Sequence, residues 1–147
     1  MNTIDRLIYN AITNFNNGIR FTLLFSLFIV KSKFTLYLFI ITFISLLFNE
    51  LLKQFGLCNP SSVAYGSFLI CLSYLIYLSR TSKKIEQIIL IGVPFCVTFG
   101  AKHYNIDSGD SLIIGTILGS LTAVIGYIMI YNSEYFDEFS NYVFQFL

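Results

Sequence analysis

The chain has 147 residues, of which 56% are hydrophobic and only 12% are charged, and its net charge is +1. Soluble domains carry about 25% charged residues, so this composition excludes an ordinary soluble domain and indicates a membrane protein. A net charge of +1 also excludes the concentrated Lys and Arg surface that nucleic-acid-binding proteins use. Charged residues are absent from four long stretches, which are 34–49, 54–79, 87–101 and 111–133.

The amino-terminal stretch predicts a helix that lies in the membrane interface. Apolar residues recur there at three-four spacing, at Ile4, Leu7, Ile8, Ala11, Ile12 and Phe15. This period is typical of an amphipathic helix, and we expect the helix to occupy residues 1–17 and to be closed by "NNG" at 16–18. "FTLLFSLFIV" at 21–30 would be only about 15 Å long as a helix, which predicts either a short span or a re-entrant segment.

Four later segments have the length of membrane spans, since a span needs about 20 mostly apolar residues. They are 34–52, 61–79, 85–101 and 111–132. The short connections between them make neighbouring spans antiparallel. The tail 133–147 mixes acidic and aromatic residues and predicts a second interfacial helix. The predicted fold is therefore all-α, an integral membrane helical bundle of four spans and a short fifth segment at 18–132, with an interfacial helix at each end.

The positions of the cations predict the orientation of the bundle, because Lys and Arg in short loops favour the cytosolic side. One end of the alternating spans carries Lys31, Lys33, Arg80, Lys83 and Lys84. The other end carries Lys53 and Lys102. We therefore expect "RTSKK" at 80–84 in the cytosol and "HYNID" at 103–107 on the lumenal or extracellular side, in an endomembrane such as the endoplasmic reticulum or in the plasma membrane.

The sequence predicts neither a metal nor a cofactor. Cys58, Cys71 and Cys96 form neither an even set for disulfides nor a metal-ligand spacing, and we interpret them as small apolar packing residues. Asp107 and Asp110 offer too few oxygens for a hard cation, which takes about six or more.

Two long stretches and the basic loop between them occur in the order found in one enzyme family. The stretches are "NELLKQFGLCNPSSVAYGSFLI" from residue 49 and "CVTFGAKHYNIDSGDSLIIGTILGSL" from residue 96. Over residues 49–131 this order resembles the type 2 phosphatidic acid phosphatase family, whose members are membrane lipid-phosphate and polyprenyl-diphosphate phosphatases. The family's signature runs Lys and Arg-Pro, then Pro-Ser-Gly-His opening a helix, then Ser-Arg, His and Asp.

The first half of that signature is partly retained. Lys53 stands where the family has its first Lys, but the Arg-Pro is absent and the connection is shorter. Pro60 and Ser61 match Pro-Ser. Ser62 replaces the Gly, and Val63 replaces the first His.

The last part of the signature fits this sequence in two registers. A direct match of "HYNID" retains His103 and Asp107 but leaves the following glycines four residues late. A match of Gly115 and Gly119 needs no gap, and it places Asp107 at the His and Ser111 at the Asp. Neither register contains the family's arginine.

The resemblance implies a His nucleophile oriented by Asp, a second His that protonates the leaving oxygen, and cations that hold the phosphate. Phosphoryl transfer depends on positioning and on charge neutralisation, and both family arginines are absent here. Val63 cannot donate a proton, so general-acid catalysis worth about 10²- to 10⁴-fold is lost unless Tyr104 or Tyr65 replaces it. The sequence therefore predicts an eroded active site.

The resemblance gives six candidate site residues. The catalytic candidates are His103 and Asp107, and the phosphate-binding candidates are Lys53, Ser61, Ser62 and Lys102. The two serines would open a helix, where free N–H groups and the helix dipole favour an anion. The alternative is purely structural, with Ser61 as a helix N-cap, the lysines as interface anchors and His103 as a solvated helix end.

Small residues recur along the last span at Gly115, Gly119 and Gly126. Such spacing lets two helix backbones approach closely. The second helix belongs either to this bundle or to a partner protein, and the spacing alone does not separate the two.

We therefore predict a multi-pass membrane protein with the phosphatase family's topology and no catalysis, which binds a lipid phosphate or serves as a subunit of a membrane complex. The predicted partners are membrane lipid and, through the three glycines, another helix; no nucleic acid is expected. Two alternatives stay open. One is an active, divergent lipid or polyprenyl phosphatase, and the other is an unrelated structural or assembly subunit.

Overall fold

The structure is a computed structural model that describes residues 1–79 and 81–147. Arg80, which the sequence analysis assigned to the basic loop, lies outside the described residues. Every regular element within them is helical, as predicted. In chain order these are α1 (Thr3–Thr13), α2 (Phe15–Val30), α3 (Lys33–Gln54), α4 (Ser62–Leu78), α5 (Lys84–His103), α6 (Gly109–Gly126) and α7 (Glu134–Phe146), with a π-helical turn (Tyr127–Tyr131) that extends α6.

Among the described residues, three helices are long and apolar enough to cross a membrane. They are α3 with 22 residues, α5 with 20, and α6 together with its π-helical turn with 23. By length and composition they indicate an integral membrane protein, as predicted. The fourth predicted span, 61–79, forms α4, but α4 has only 17 residues. At about 26 Å it is shorter than a hydrocarbon core of about 30 Å.

The short helix α4 lies at the centre of the bundle and contacts α2, α3, α5 and α6. Its residues from Val63 to Cys71 are all buried. Helices α4 and α6 begin side by side, because the Ser61 backbone N–H donates to the Ser111 carbonyl oxygen at 2.9 Å. Further along, Gly119 of α6 lies against Tyr65 of α4. The two helices are therefore parallel, and α3 and α5 run in the opposite direction.

The glycines of α6 let it approach α4 closely. A Cβ atom on Gly115 would lie 2.6 Å from the Ser61 carbonyl oxygen, and one on Gly119 would collide with the Tyr65 carbonyl oxygen. Gly126 lies against Tyr37 and Ile41 of α3. Of the two alternatives for this stripe, packing within the bundle is the one found in the structure. A protein partner bound through the same glycines stays a prediction.

The bundle has two ends, which we name by their residues. The serine end holds the turns 55–61 and 104–108, where α4 and α6 begin. The lysine end holds residues 31–33 and 82–84. Helix α2 begins at the serine end, where the Asn16 side-chain amide donates to the Ser62 carbonyl oxygen, and it ends at Val30, next to Lys31 of the lysine end. The segment predicted as a short span or a re-entrant piece therefore runs from the serine end to the lysine end, in contact with α3 and α4.

The predicted boundary at "NNG" is wrong. Helix α1 ends at Thr13, and α2 begins at Phe15 and continues through Gly18. The break falls at Asn14, whose backbone N–H and side-chain amide both donate to the Asn10 carbonyl oxygen. Asn16 does not interrupt α2, because its side chain is buried against α4 instead of bonding to its own backbone.

The predicted tail helix is α7, which packs onto the lysine end. Phe136 is buried, and its ring meets the ring of Tyr37 edge to face with centroids 6.3 Å apart. Lys33 pairs with Asp137 at 2.5 Å and lies 4.4 Å from the centre of the Tyr131 ring. One face of α7 is therefore held by α3, while Tyr135, Phe139 and other aromatic residues on the remaining surface are exposed.

Candidate functional site

The turns that precede α4 and α6 meet at the serine end. The Ser61 hydroxyl donates to Asp107 Oδ2 at 2.5 Å, across 46 residues of sequence. The Ser61 hydroxyl oxygen also accepts from the Ala64 backbone N–H at 3.2 Å, so Ser61 is the N-cap of α4. Ser61 is 2% exposed, and it therefore joins two turns from inside the fold.

This arrangement places a carboxylate of the chain itself at the start of α4. Free N–H groups and the helix dipole make a helix start favourable for an anion. The sequence analysis assigned that property to phosphate binding by Ser61 and Ser62. In the structure Asp107 is the anion that contacts Ser61, while the Ser62 side chain is exposed and its carbonyl oxygen accepts from Asn16.

The position that the resemblance aligns with a proton-donating His, Val63, is part of the apolar interior. Val63 is 6% exposed and belongs to a cluster with Ile12, Ala64, Ala101 and Leu112. An apolar side chain in this cluster neither donates a proton nor admits the water that would deliver one. The surroundings of Val63 thus suit an apolar side chain and not a proton-donating histidine.

Within the described residues, His103 and Asp107 interact with different partners and not with each other. His103 is the last residue of α5, its side chain is exposed, and its ring meets the Tyr104 ring edge to face with centroids 5.0 Å apart. No hydrogen bond or ion pair within residues 1–79 and 81–147 joins it to Asp107. The nucleophile and orienting carboxylate that the resemblance implies therefore do not form a pair.

The two tyrosines considered as replacement acids are engaged elsewhere. The Tyr104 hydroxyl donates to Asp5 Oδ1 at 3.3 Å, and desolvation together with the Asp5 carboxylate raises the pKa of the Tyr104 phenol above its usual value. The Tyr65 hydroxyl shares a hydrogen bond of 2.8 Å with Thr122 inside the bundle. Neither phenol contacts His103 Nδ1 or Nε2 through a hydrogen bond in the described part of the chain.

The two candidate lysines differ in their surroundings. Lys53 Nζ lies 3.6 Å from Glu50 Oε1, one helical turn earlier on α3, so its charge is partly neutralised. Lys102 is exposed and forms no ion pair with any described residue. Of the candidate phosphate-binding residues, Lys102 is thus the free cation.

Lys102 lies at a groove that the sequence analysis did not foresee. The groove has a volume of about 280 Å³ and is formed by α5 and α6 over α4. Its apolar lining includes Phe68, Phe95, Phe99, Leu112, Ile113 and Ile117. Three helices contribute to the groove, so no single stretch of sequence predicts it. The one local feature that points to it is an apolar helix face next to a Lys at the helix end.

No metal site is present among the described residues, since no three His, Cys, Asp or Glu side chains lie close enough to share an ion. Cys58, Cys71 and Cys96 are all free thiols. Cys71 is buried, which agrees with a packing role, whereas Cys96 is exposed on the outer surface of α5.

Comparison with protein-family models, with curated proteins and with solved structures found no match to this chain. The resemblance to the phosphatase family therefore rests on the quoted residues and stays a prediction.

Proposed function

We propose that this chain is a multi-pass membrane protein that binds the phosphate group of a membrane lipid at its serine end without hydrolysing it. Lys102 is the anion-binding side chain of the proposal. The observation that carries it is the position of this cation, which pairs with no described carboxylate, at a largely apolar groove.

The groove and the cation together complement an amphiphile. A lipid phosphate carries a negative group next to long apolar chains, and charge-assisted hydrogen bonds from an ammonium group to phosphate are among the stronger polar contacts. Phe95, Phe99 and Ile113 offer an apolar surface next to Lys102. Lys53, Ser61 and Ser62 are weaker candidates, because Lys53 has a carboxylate partner and Asp107 lies at Ser61.

Three features support the absence of catalysis. Val63 is buried in an apolar cluster, His103 lacks the carboxylate that would orient it, and Asp107 bonds to Ser61 instead. Phosphoryl transfer needs cations around the equatorial oxygens, and this sequence lacks both family arginines. We therefore propose that the chain is a degenerate member of the phosphatase family, and the meeting of the two turns supports this relationship.

The proposed orientation follows the distribution of cations. The lysine end carries Lys31, Lys33, Lys83 and Lys84, and we assign it to the cytosol. The serine end and its lipid site then face the lumen of an endomembrane or the exterior of the cell.

The test is a binding measurement with phosphatidic acid. The purified full-length chain is reconstituted in phosphatidylcholine nanodiscs, and the retention of added phosphatidic acid is measured by native mass spectrometry. We expect Lys102→Gln to weaken retention by about tenfold, since a hydrogen bond to a charged group is worth about 1.5–3 kcal/mol. Lys84→Gln is the matched control, because it removes an exposed lysine from the other end of the same helix.

Equal retention by wild type, Lys102→Gln and Lys84→Gln would overturn the binding proposal. Release of inorganic phosphate that disappears in His103→Ala would instead support the alternative of an active phosphatase.

A further inference from the structure

A second cation lies in a groove on another side of the bundle. Arg20, in the second turn of α2, lines a groove of about 260 Å³ between α2 and α3. The other lining residues are Asn17, Phe21, Leu24, Phe39, Thr42 and Phe43. This groove shares no lining residue with the one at Lys102.

Arg20 lies within the apolar length of α2 and not in one of the connecting turns. Across the groove lies Thr42, which is near the middle of α3 (Lys33–Gln54), one of the three helices long enough to cross a membrane. Charged side chains within the membrane are expensive, and they usually face a partner or mark a functional site. Arg20 therefore needs an interaction that accounts for its position.

The described residues do not supply that interaction in full. Within residues 1–79 and 81–147 the one polar contact of the guanidinium is a hydrogen bond of 3.2 Å from Nη1 to Asn17 Oδ1. No carboxylate on residues 1–79 or 81–147 forms an ion pair with it. A guanidinium has five N–H donors, so most of them are free for a ligand.

The direction of the side chain indicates where such a ligand would sit. Asn17 is three residues closer than Arg20 to the serine end, at which α2 begins. Arg20 therefore extends toward the nearer membrane surface, as long cationic side chains do from within a bilayer. Phe21, Leu24, Phe39 and Phe43 continue the groove as an apolar surface beside it.

We propose that the groove between α2 and α3 binds an anionic phospholipid, with the headgroup phosphate on Arg20 and an acyl chain along the four apolar residues. A guanidinium binds two phosphate oxygens at once, which gives this contact both strength and geometry. The apolar length of the groove favours a lipid over a free phosphate ion, which has no chain to place there. This site does not depend on the lipid site proposed at Lys102.

The test uses photoactivatable phosphatidylglycerol with the reactive group on its acyl chain. The full chain is reconstituted in phosphatidylcholine nanodiscs that contain the probe, and labelled peptides are mapped by mass spectrometry. In wild type we expect labelling of α2 and α3 beside the groove. Arg20→Gln should reduce this labelling about tenfold. Arg20→Lys should reduce it less, because it keeps the charge but not the bidentate geometry. Arg6→Gln, which removes an exposed arginine of α1, is the matched control and should label as wild type does.

Four further results decide between sources of the interaction. Equal labelling of wild type and Arg20→Gln overturns the proposal. It is also overturned if Arg20→Gln reduces labelling by a photoactivatable phosphatidylcholine as much as it reduces labelling by phosphatidylglycerol. Displacement of the probe by inorganic phosphate would show that the anion alone is recognised. An acidic protein that copurifies with wild type and is lost in Arg20→Gln, while labelling stays unchanged, would assign Arg20 to a carboxylate on a partner helix.

A second variant covers the case in which Arg20→Gln does not fold. Leu24→Trp retains the charge and fills the apolar part of the groove, so it should reduce labelling while Arg20 is intact. Undiminished labelling in Leu24→Trp would overturn the proposal independently. Lys102→Gln should leave this labelling unchanged, so that failure here and failure of the site at Lys102 are distinguishable.

Discussion

Ser61 performs two tasks with one hydroxyl group. Its oxygen accepts from the Ala64 N–H, which caps α4, and its hydrogen is donated to Asp107, which fixes the turn before α6. A cap contributes about 1 kcal/mol, and a hydrogen bond to a charged group contributes about 1.5–3 kcal/mol. The side chain therefore contributes to the meeting of the two turns as well as to its own helix.

Ser61→Ala should lower the free energy of unfolding by more than the loss of a cap alone. The matched control is Ser133→Ala, because Ser133 caps α7 through the Phe136 N–H but bonds to no carboxylate in the part of the chain that the structure describes. We expect about 1 kcal/mol for the control and a clearly larger value for Ser61→Ala, measured by chemical denaturation in detergent.

The excess should vanish when Asp107→Ala is already present, because that background lacks the carboxylate. Equal losses for the two serines in the wild-type background would contradict the tie between the turns.

The His103 and Asp107 pair shows where sequence reasoning failed at this scale. Residues four apart face each other only on a continuous helix. Helix α5 ends at His103, and Asn105 adopts a left-handed conformation with φ of 52°. Asp107 is thereby turned away to Ser61, a partner 46 residues distant that no local pattern identifies. The Pro60-Ser61 start of α4, a local signal, was predicted correctly.

Gly119→Ala should destabilise the bundle by about 1–3 kcal/mol, the usual range for overpacking. The added Cβ would meet backbone atoms of Tyr65, which cannot move aside as a flexible side chain can. Gly92→Ala on α5 is the control, since nothing lies within 4 Å of the added atom, and alanine is favoured over glycine in a helix. Thermal unfolding in detergent measures both. A loss in Gly92→Ala as large as in Gly119→Ala would contradict the close approach of α6 to α4.

At the scale of elements, composition located the helices but not their roles. The apolar stretches predicted α3, α4, α5 and α6 within a few residues, because hydropathy reports local chain properties. It could not show that α4 is central, since a helix covered by lipid and one covered by protein are equally apolar. The central position of α4 follows from small residues on its neighbours, of which Gly115 and Gly119 are the clearest.

Helix α7 should detach from the lysine end when its buried ring is removed. Phe136→Ala deletes a side chain that is 6% exposed and packs on Tyr37, whereas Phe139→Ala deletes one that is 47% exposed on the same helix. We expect faster hydrogen exchange across 134–146 in Phe136→Ala and little change in Phe139→Ala. Equal exchange in the two variants would indicate that Phe136 does not hold α7.

At the scale of the whole molecule, the alternation of helices separates two chemically different ends. The lysine end carries Lys31, Lys33, Lys83 and Lys84, while the serine end carries Lys53, Lys102, His103 and the two turns that Ser61 and Asp107 join. If the long helices cross a bilayer, residues at the two ends meet different compartments. The orientation was predicted from the Lys and Arg residues near the connections alone. The structure brings α1, and with it Arg6, to the serine end and directs Arg20 toward the same end, which reduces the difference in charge between the two ends.

Cysteine labelling tests this separation directly. In a cysteine-free background, Asn105→Cys places a thiol at the serine end and Lys84→Cys places one at the lysine end, and both positions are exposed. A membrane-impermeant maleimide added to sealed vesicles should label one of them, and the other only after permeabilisation. Labelling of both before permeabilisation would contradict a crossing arrangement.

The two grooves belong to this scale as well, and they explain why the lipid sites were only partly predicted. Lys102 was a candidate because it lies near a motif-like stretch, while Arg20 was not, because nothing in its local sequence sets it apart. Each groove is formed by side chains from different helices. Such surfaces exist only after the helices have packed, so a reading of separate segments does not reveal them.

The most direct test of the account is whether a lipid phosphate bound at the serine end remains intact. Wild-type protein in nanodiscs is incubated with labelled phosphatidic acid, and both retained lipid and released inorganic phosphate are quantified over time. The account predicts retention that depends on Lys102 and phosphate release no greater than in empty nanodiscs. Steady phosphate release that is abolished by His103→Ala would contradict it.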